Sequence, residues 1–152
     1  VTPHNPHPDQ SCHDHEDSIC LYDCFPLPCS MIGLHLMVDG VYSEPVGRDT
    51  VERILRDLPS LIGMSILSGP HVVEGVPENP GWTGFVIIDK SHISVHTFTE
   101  TDTVSIDLYS CKPFDAEKAI AYLNNVISFR EVSTRILTRE IAPTSRARPQ
   151  GP

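Results

Sequence analysis

Basic residues are scarce in this chain of 152 residues, which has 11 lysines and arginines against 20 aspartates and glutamates and a formal net charge of −9 at pH 7. Nucleic acids and anionic membranes bind positively charged surfaces, which this composition does not supply. No apolar run approaches the length of a bilayer span, and the first residues lack the basic-then-apolar order of a secretory signal. We therefore expect no nucleic-acid or membrane partner, and a cytoplasmic location.

Cysteine is nearly absent from the part of the chain that has regular apolar patterns. Four of the five cysteines precede Met31, which leaves Cys111 alone beyond it and favours a reducing compartment. The early cysteines are Cys12, Cys20, Cys24 and Cys29, and the histidines among and before them are His4, His7, His13 and His15. Their gaps include no Cys-x-x-Cys pair, so we expect no metal site, and a zinc-binding leader is kept only as an alternative.

Three regions differ in composition. Residues 1–30 are rich in Pro, His, Asp and Cys and have neither a two-residue nor a 3.6-residue apolar period, so we expect a disordered or non-native extension. Residues 31–141 have the patterns and the length of one compact domain. Residues 142–152 are rich in Pro, Arg, Gly and Ser, which predicts a flexible tail.

Apolar periodicity predicts the order β-α-β-β-β-β-α-β. The first strand has alternating apolar residues from Leu34 to Val38, and Asp49 or Thr50 can cap the first helix. Asp115 can cap the second helix. Strands are predicted at 64–67, with 71–76 as a candidate continuation, and at 83–88, 93–98, 103–109 and 130–141.

This order predicts an α+β fold, a two-layer sandwich of an antiparallel sheet with both helices on one face. The other face of such a sheet has no cover within the chain. Because a half-covered sheet must meet water or a partner, and symmetric pairing is common, we expect a homodimer.

The chemistry is concentrated in one run. Residues 90–97 read KSHISVHT, with Glu100 shortly after and Cys111 twenty residues beyond Ser91. A hydroxyl, an imidazole and a thiol can together break a backbone bond, move a proton and quench a carbanion.

The run, the glutamate and cysteine that follow it, and the strand GFVII at 84–88 resemble the short prokaryotic S-adenosylmethionine decarboxylases. The resemblance covers about Met31 to Ile127. Members of that family are pyruvoyl enzymes that cut themselves immediately before the motif serine. The resemblance also implies two protomers packed sheet to sheet as four αββα layers, with sites near the interface.

The resemblance assigns the self-cleavage to four residues. Ser91 attacks the carbonyl carbon of Lys90, and the resulting ester eliminates and hydrolyses to leave a pyruvoyl group in place of the serine. His96 removes the Hα of the ester intermediate, since imidazole is well suited to proton transfer near neutral pH. Thr83 supports processing by hydrogen bonding the group that becomes an oxyanion.

Two further residues are assigned to turnover. Cys111 is expected to donate the proton that replaces carbon dioxide, and Glu100 to hydrogen bond the ribose hydroxyls of the substrate. The pyruvoyl ketone is expected to act as electron sink, so no external cofactor is required. The implied reaction converts S-adenosylmethionine to its decarboxylated form and carbon dioxide for spermidine synthesis.

Two alternatives remain open on the sequence. The same fold and pyruvoyl group could decarboxylate arginine or ornithine. A non-processing homologue could instead be a regulatory subunit, which intact chains would reveal. The presence of Ser91, His96 and Cys111 argues against the second alternative.

Overall fold

A computed structural model describes residues 31–140, and its elements follow the predicted order β-α-β-β-β-β-α-β. They are β1 (Met31–Tyr42), α1 (Arg48–Leu61), β2 (Ile66–Glu74), β3 (Trp82–Ile88), β4 (Ser91–Phe98), β5 (Thr103–Ser110), α2 (Ala116–Val126) and β6 (Phe129–Glu140). The extension at 1–30, with its candidate zinc ligands, and the tail at 142–152 lie outside the described residues.

The six strands form one sheet in the order β2-β3-β4-β5-β1-β6, and every neighbouring pair is antiparallel. Strands β2 to β5 are consecutive neighbours, whereas β1 lies between β5 and β6. The predicted α+β sandwich with an antiparallel sheet and two helices is confirmed.

Alternation along the strands produces one buried face. On β1 the side chains of Leu36 and Val38 are each 1% exposed, and β5 contributes Val104, Ile106 and Leu108 to the same core. Helix α1 covers this face with Val51, Ile54, Leu55 and Leu58, and α2 adds Ala119 and Leu123. Both helices therefore pack on one side, as their apolar stripes predict.

Gly84 sets how closely α1 approaches the sheet. A Cβ at this position would lie 2.5 Å from Val51 Cγ1 and 2.6 Å from Leu55 Cδ1. Real Cβ contacts are not that short, so the helix packs directly on the backbone of β3 at this glycine.

The two helices begin differently. Helix α1 begins at Arg48 with Gly47 as its N-cap and no side-chain cap, so the prediction that Asp49 or Thr50 caps it was wrong. The Gly47 carbonyl already accepts from the N–H groups of Thr50 and Val51, which places Asp49 within the first turn, where its charge favours the helix dipole. Asp115 caps α2 as predicted and accepts from the Lys118 N–H at 2.9 Å.

The second sheet face, opposite the helices, is called the open face below. It exposes Phe85 and Ile87 of β3 and Leu137 of β6, which are 38%, 42% and 52% exposed. Polar side chains, including Thr83, His96 and Asp107, lie on it among these apolar ones. Within residues 31–140, no helix is long and apolar enough to cross a membrane.

Candidate active site

The bond expected to break lies in the tight hairpin between β3 and β4. Ile88 pairs with Ser91, so Asp89 and Lys90 alone form the turn. The Asp89 N–H donates to the Ser65 carbonyl at 2.9 Å, and Asp89 Oδ1 accepts from the Ser65 N–H at 3.1 Å. Lys90 Nζ lies 3.0 Å from Asp89 Oδ2. The ammonium of Lys90 and the N–H of Ser65 lower the pKa of the Asp89 carboxyl, which keeps this anchor charged.

Ser91 carries the backbone strain of this turn. Two-residue hairpin loops favour residues that adopt positive φ, usually glycine or asparagine. Here the positive φ, 152°, falls on Ser91, in a region that residues with a Cβ disfavour. Such a conformation costs on the order of 1–3 kcal/mol, and it is located at the residue whose N-terminal peptide bond is expected to break.

Cys111 lies beside the same peptide bond. Ser110 pairs with Ser91 across β5 and β4, and the next backbone N–H, that of Cys111, donates to the Lys90 carbonyl at 2.9 Å. Cys111 is a free and exposed thiol. The fold thus brings together Lys90, Ser91 and Cys111, three of the residues that the sequence indicated.

The side chain that contacts the Ser91 hydroxyl is His92. Ser91 Oγ lies 3.1 Å from His92 Nδ1. The sequence argument gave His92 no role, although its position next to Ser91 was visible, because neighbours along a strand normally point to opposite faces. The distorted backbone at Ser91 accompanies this exception. Lys90, Ser91, His92 and Cys111 are called the serine cluster below.

Thr83 and His96 form a second cluster, the histidine pair. They face each other on β3 and β4, with Thr83 Oγ1 3.3 Å from His96 Nδ1. Ser105 lies opposite His96 on β5 and donates to Asp39 Oδ1 at 2.7 Å. His96 is five residues along β4 from Ser91, which corresponds to roughly 16 Å of extended strand at about 3.3 Å per residue. One chain therefore does not bring the histidine pair into contact with the serine cluster.

Glu100 lies farther still from Ser91. It is exposed in the turn between β4 and β5, at the same end of β4 as His96. A carboxylate there is accessible to a solute and has no ion pair with the described residues. The proposed ribose contact is thus on the side of the histidine pair, away from the serine cluster.

No group of three or more His, Cys, Asp or Glu side chains suited to a metal ion occurs between residues 31 and 140. Around the Ser91 hydroxyl lie instead the His92 imidazole, the Cys111 residue with its free thiol, and the Lys90 carbonyl, which accepts a hydrogen bond. This donor set suits covalent chemistry on the chain itself.

Known proteins match most of this chain. The family model for S-adenosylmethionine decarboxylase matches residues 35–140. A relative from Persephonella marina, named S-adenosylmethionine decarboxylase proenzyme, is 30% identical over 122 residues, covering 76% of this chain and 87% of that protein. A protein of the same name from a Hydrogenobaculum strain is 29% identical over 120 residues, covering 77% and 88%.

A solved structure has the same fold. The adenosylmethionine decarboxylase of Aquifex aeolicus superposes with a TM-score of 0.62 at 23% identity, covering 78% of this chain and 99% of that one. The family match extends from the first strand to the last and includes both clusters described above. The chain belongs to the S-adenosylmethionine decarboxylase family.

Proposed function

We propose that this protein is a self-processing decarboxylase that cuts itself between Lys90 and Ser91 and then decarboxylates S-adenosylmethionine. The observation that carries the proposal is the set of contacts around the peptide bond between Lys90 and Ser91. Its carbonyl accepts a hydrogen bond from the Cys111 N–H, and its serine has both a strained φ and an imidazole 3.1 Å from the hydroxyl. A structural serine would need none of these features.

The residues around Ser91 fit the formation of a pyruvoyl group. The hydroxyl of Ser91 attacks the Lys90 carbonyl carbon, and the negative charge that develops on the carbonyl oxygen meets the Cys111 N–H. The strain at Ser91 is relieved when the peptide bond opens. Once formed, the pyruvoyl ketone would draw electrons from the breaking bond to the substrate carboxylate.

The chain supplies a proton donor at the same place. Cys111 is exposed, free and next to the bond between Lys90 and Ser91, whose cleavage would leave the pyruvoyl group at the start of the second fragment. A thiol there can deliver a proton to the substrate α-carbon after carbon dioxide leaves. Glu100, whose carboxylate can accept from two adjacent hydroxyls, is the proposed ribose ligand.

The separation of the two clusters supports a homodimer. His96 is proposed to remove the Hα of Ser91, which requires contact, yet one chain separates the two residues by roughly 16 Å of strand. The open face carries the histidine pair and also exposes Phe85, Ile87 and Leu137. A second copy packed sheet to sheet in four αββα layers would cover these apolar side chains and could bring its own His96 and Thr83 to the serine cluster.

The first experiment is intact-mass measurement of the denatured, purified protein. The expected result is two fragments divided between Lys90 and Ser91, the second beginning with a pyruvoyl group. Purified cut protein should then release carbon dioxide from S-adenosylmethionine and not from arginine or ornithine. A single uncut chain would overturn the proposal of self-processing and favour a regulatory homologue. Release of carbon dioxide from arginine or ornithine alone would overturn the assignment of S-adenosylmethionine as substrate.

The domain boundaries are part of the proposal. We assign the reaction to residues 31–141 and give residues 1–30 and 142–152 no part in it. A chain that begins at Met31 should cut itself as fast as the full chain, and a loss of cleavage would contradict this assignment.

A further inference from the structure

We propose that His92 is the general base that starts self-cleavage, taking the proton of the Ser91 hydroxyl as that oxygen attacks the Lys90 carbonyl. The inference rests on the self-processing function proposed above and adds to it a catalytic residue for the first step. Its basis is contact with the reacting atom, since Ser91 Oγ lies 3.1 Å from His92 Nδ1. In the tautomer that carries its proton on Nε2, this Nδ1 accepts the hydroxyl proton.

The ring of His92 is held in place on both sides. Phe85 stacks on it with centroids 5.4 Å apart and planes 24° from parallel. Tyr109 packs on it at 5.9 Å and 55°. Tyr109 is itself fixed, because its hydroxyl donates to the Ile32 carbonyl at 3.3 Å and the Arg139 guanidinium lies 4.6 Å over its ring. A base fixed in this way meets the hydroxyl without a costly search of rotamers.

The step balances within the chain. The Ser91 O–H proton moves to His92 Nδ1 while Oγ forms a bond to the Lys90 carbonyl carbon. The developing oxyanion is met by the Cys111 N–H, which already donates to that oxygen at 2.9 Å. The imidazolium then gives its proton to the Ser91 nitrogen, the C–N bond breaks, and an ester and a free amine remain. No oxidant, metal or external reactant is needed.

The positions of His92 and His96 indicate that the two histidines act in different steps of self-cleavage. His96 lies beyond reach of Ser91 in the same chain, and its proposed task, removal of the Hα, follows ester formation. His92 contacts the hydroxyl before any cut has occurred. Loss of His92 should therefore block formation of the ester, and loss of His96 should block its breakdown.

The test follows self-cleavage of full-length chains from cell-free synthesis by intact mass. Two variants are compared with wild type: His92→Asn keeps a hydrogen-bond acceptor near Ser91, and His92→Phe keeps the stacked ring. Each should slow cleavage by about 10²- to 10⁴-fold, the usual contribution of a general base. His71→Asn, a change to an exposed histidine on β2, should cut at the wild-type rate. Circular dichroism verifies that each variant is folded, and a single folded His92 variant is enough to test the role of His92 as general base.

Hydroxylamine separates the two steps, because it cleaves esters and the chain contains no Asn–Gly bond that it would also attack. His96→Ala should accumulate an ester that hydroxylamine cuts, releasing a second fragment with an intact N-terminal serine. The His92 variants should remain whole in the same treatment.

The outcomes distinguish the role of His92 as general base from the self-processing function on which it rests. Folded His92 variants that cut within about threefold of the wild-type rate would overturn the base and leave the self-processing function intact. Variants that accumulate hydroxylamine-sensitive ester as His96→Ala does would also overturn it, since the first step would then proceed without His92. A wild-type chain that stays whole, with or without hydroxylamine, would overturn both the base and the function on which it rests.

Discussion

The backbone N–H of Cys111 donates to the Lys90 carbonyl across 2.9 Å, so the residue proposed to act in turnover also holds the bond proposed to break during maturation. The two roles use different atoms of Cys111. In the proposed mechanism its N–H polarises the carbonyl before the cut, and its thiol is proposed to supply a proton afterwards. Substitutions at this position can therefore separate maturation from turnover.

Cys111→Ala removes the thiol and keeps the N–H. We expect self-cleavage within a fewfold of wild type and decarboxylation reduced by about 10²-fold or more, since a positioned proton donor is lost. Cys111→Pro removes the N–H as well, and cleavage should slow by about 10²- to 10³-fold, the usual effect of losing one oxyanion donor. Intact mass measures cleavage and released carbon dioxide measures turnover. Equal cleavage by both variants, with circular dichroism unchanged, would contradict the role of the N–H.

The sequence predicted most of the fold because burial in this sheet follows simple periods. On β5 the pattern of alternating buried and half-buried residues runs unbroken from Thr103 to Ser110. Asp115 was recognisable as a cap because it is a residue type favoured at N-caps and directly precedes the apolar pattern of α2. Its carboxylate accepts from the N–H three residues on, as expected for a cap. The start of α1 was not, because a glycine cap leaves no side-chain signature and two plausible caps, Asp49 and Thr50, follow within the first turn.

The site was predicted less completely. A strand pattern gives the distance along β4 but not the turn that precedes it, so the positive φ of Ser91 and its contact with His92 could not be read from the residues. The hydrogen bond from Cys111 to Lys90 depends on the register of β4 and β5, which is a tertiary property. The separation of His96 from Ser91 follows from the spacing, once β4 is known to be one continuous strand that contains both residues.

Gly84→Ala should destabilise the protein. The added Cβ would lie 2.5 Å from Val51 Cγ1 and 2.6 Å from Leu55 Cδ1, so these buried side chains or the helix that carries them must shift, at a cost of about 1–3 kcal/mol. Gly47→Ala is the matched control, because no atom lies within 4 Å of its added Cβ, and it should cost less than about 1 kcal/mol. Urea unfolding of both variants gives the comparison. Equal midpoints would show that the helix has room at Gly84.

Glu100→Gln should weaken substrate binding and leave maturation unchanged. The carboxylate is exposed at the β4–β5 turn, away from the serine cluster, so cleavage between Lys90 and Ser91 should proceed at the wild-type rate. Replacing a charged acceptor of two hydroxyl hydrogen bonds by a neutral amide should raise KM about ten- to a hundredfold, at roughly 1.5–3 kcal/mol for hydrogen bonds to a charge. Steady-state kinetics on the cut variant gives KM. An unchanged KM would exclude Glu100 as the ribose ligand.

Mixed variants test whether a partner completes the site. Ser91→Ala lacks the proposed nucleophile, and His96→Ala lacks the base proposed to remove the Hα proton, so neither variant alone should become a mature enzyme. In a mixed dimer, the Ser91 of one chain meets the His96 of the other if the site spans two copies. Cosynthesis should then let the His96→Ala chain, and only that chain, cut and carry a pyruvoyl group, which mass spectrometry resolves by chain. If neither chain matures in verified mixed dimers, the sheet-to-sheet site is refuted. His96 could then reach Ser91 only within one copy, where β4 would have to bend because its extended length holds the two residues roughly 16 Å apart.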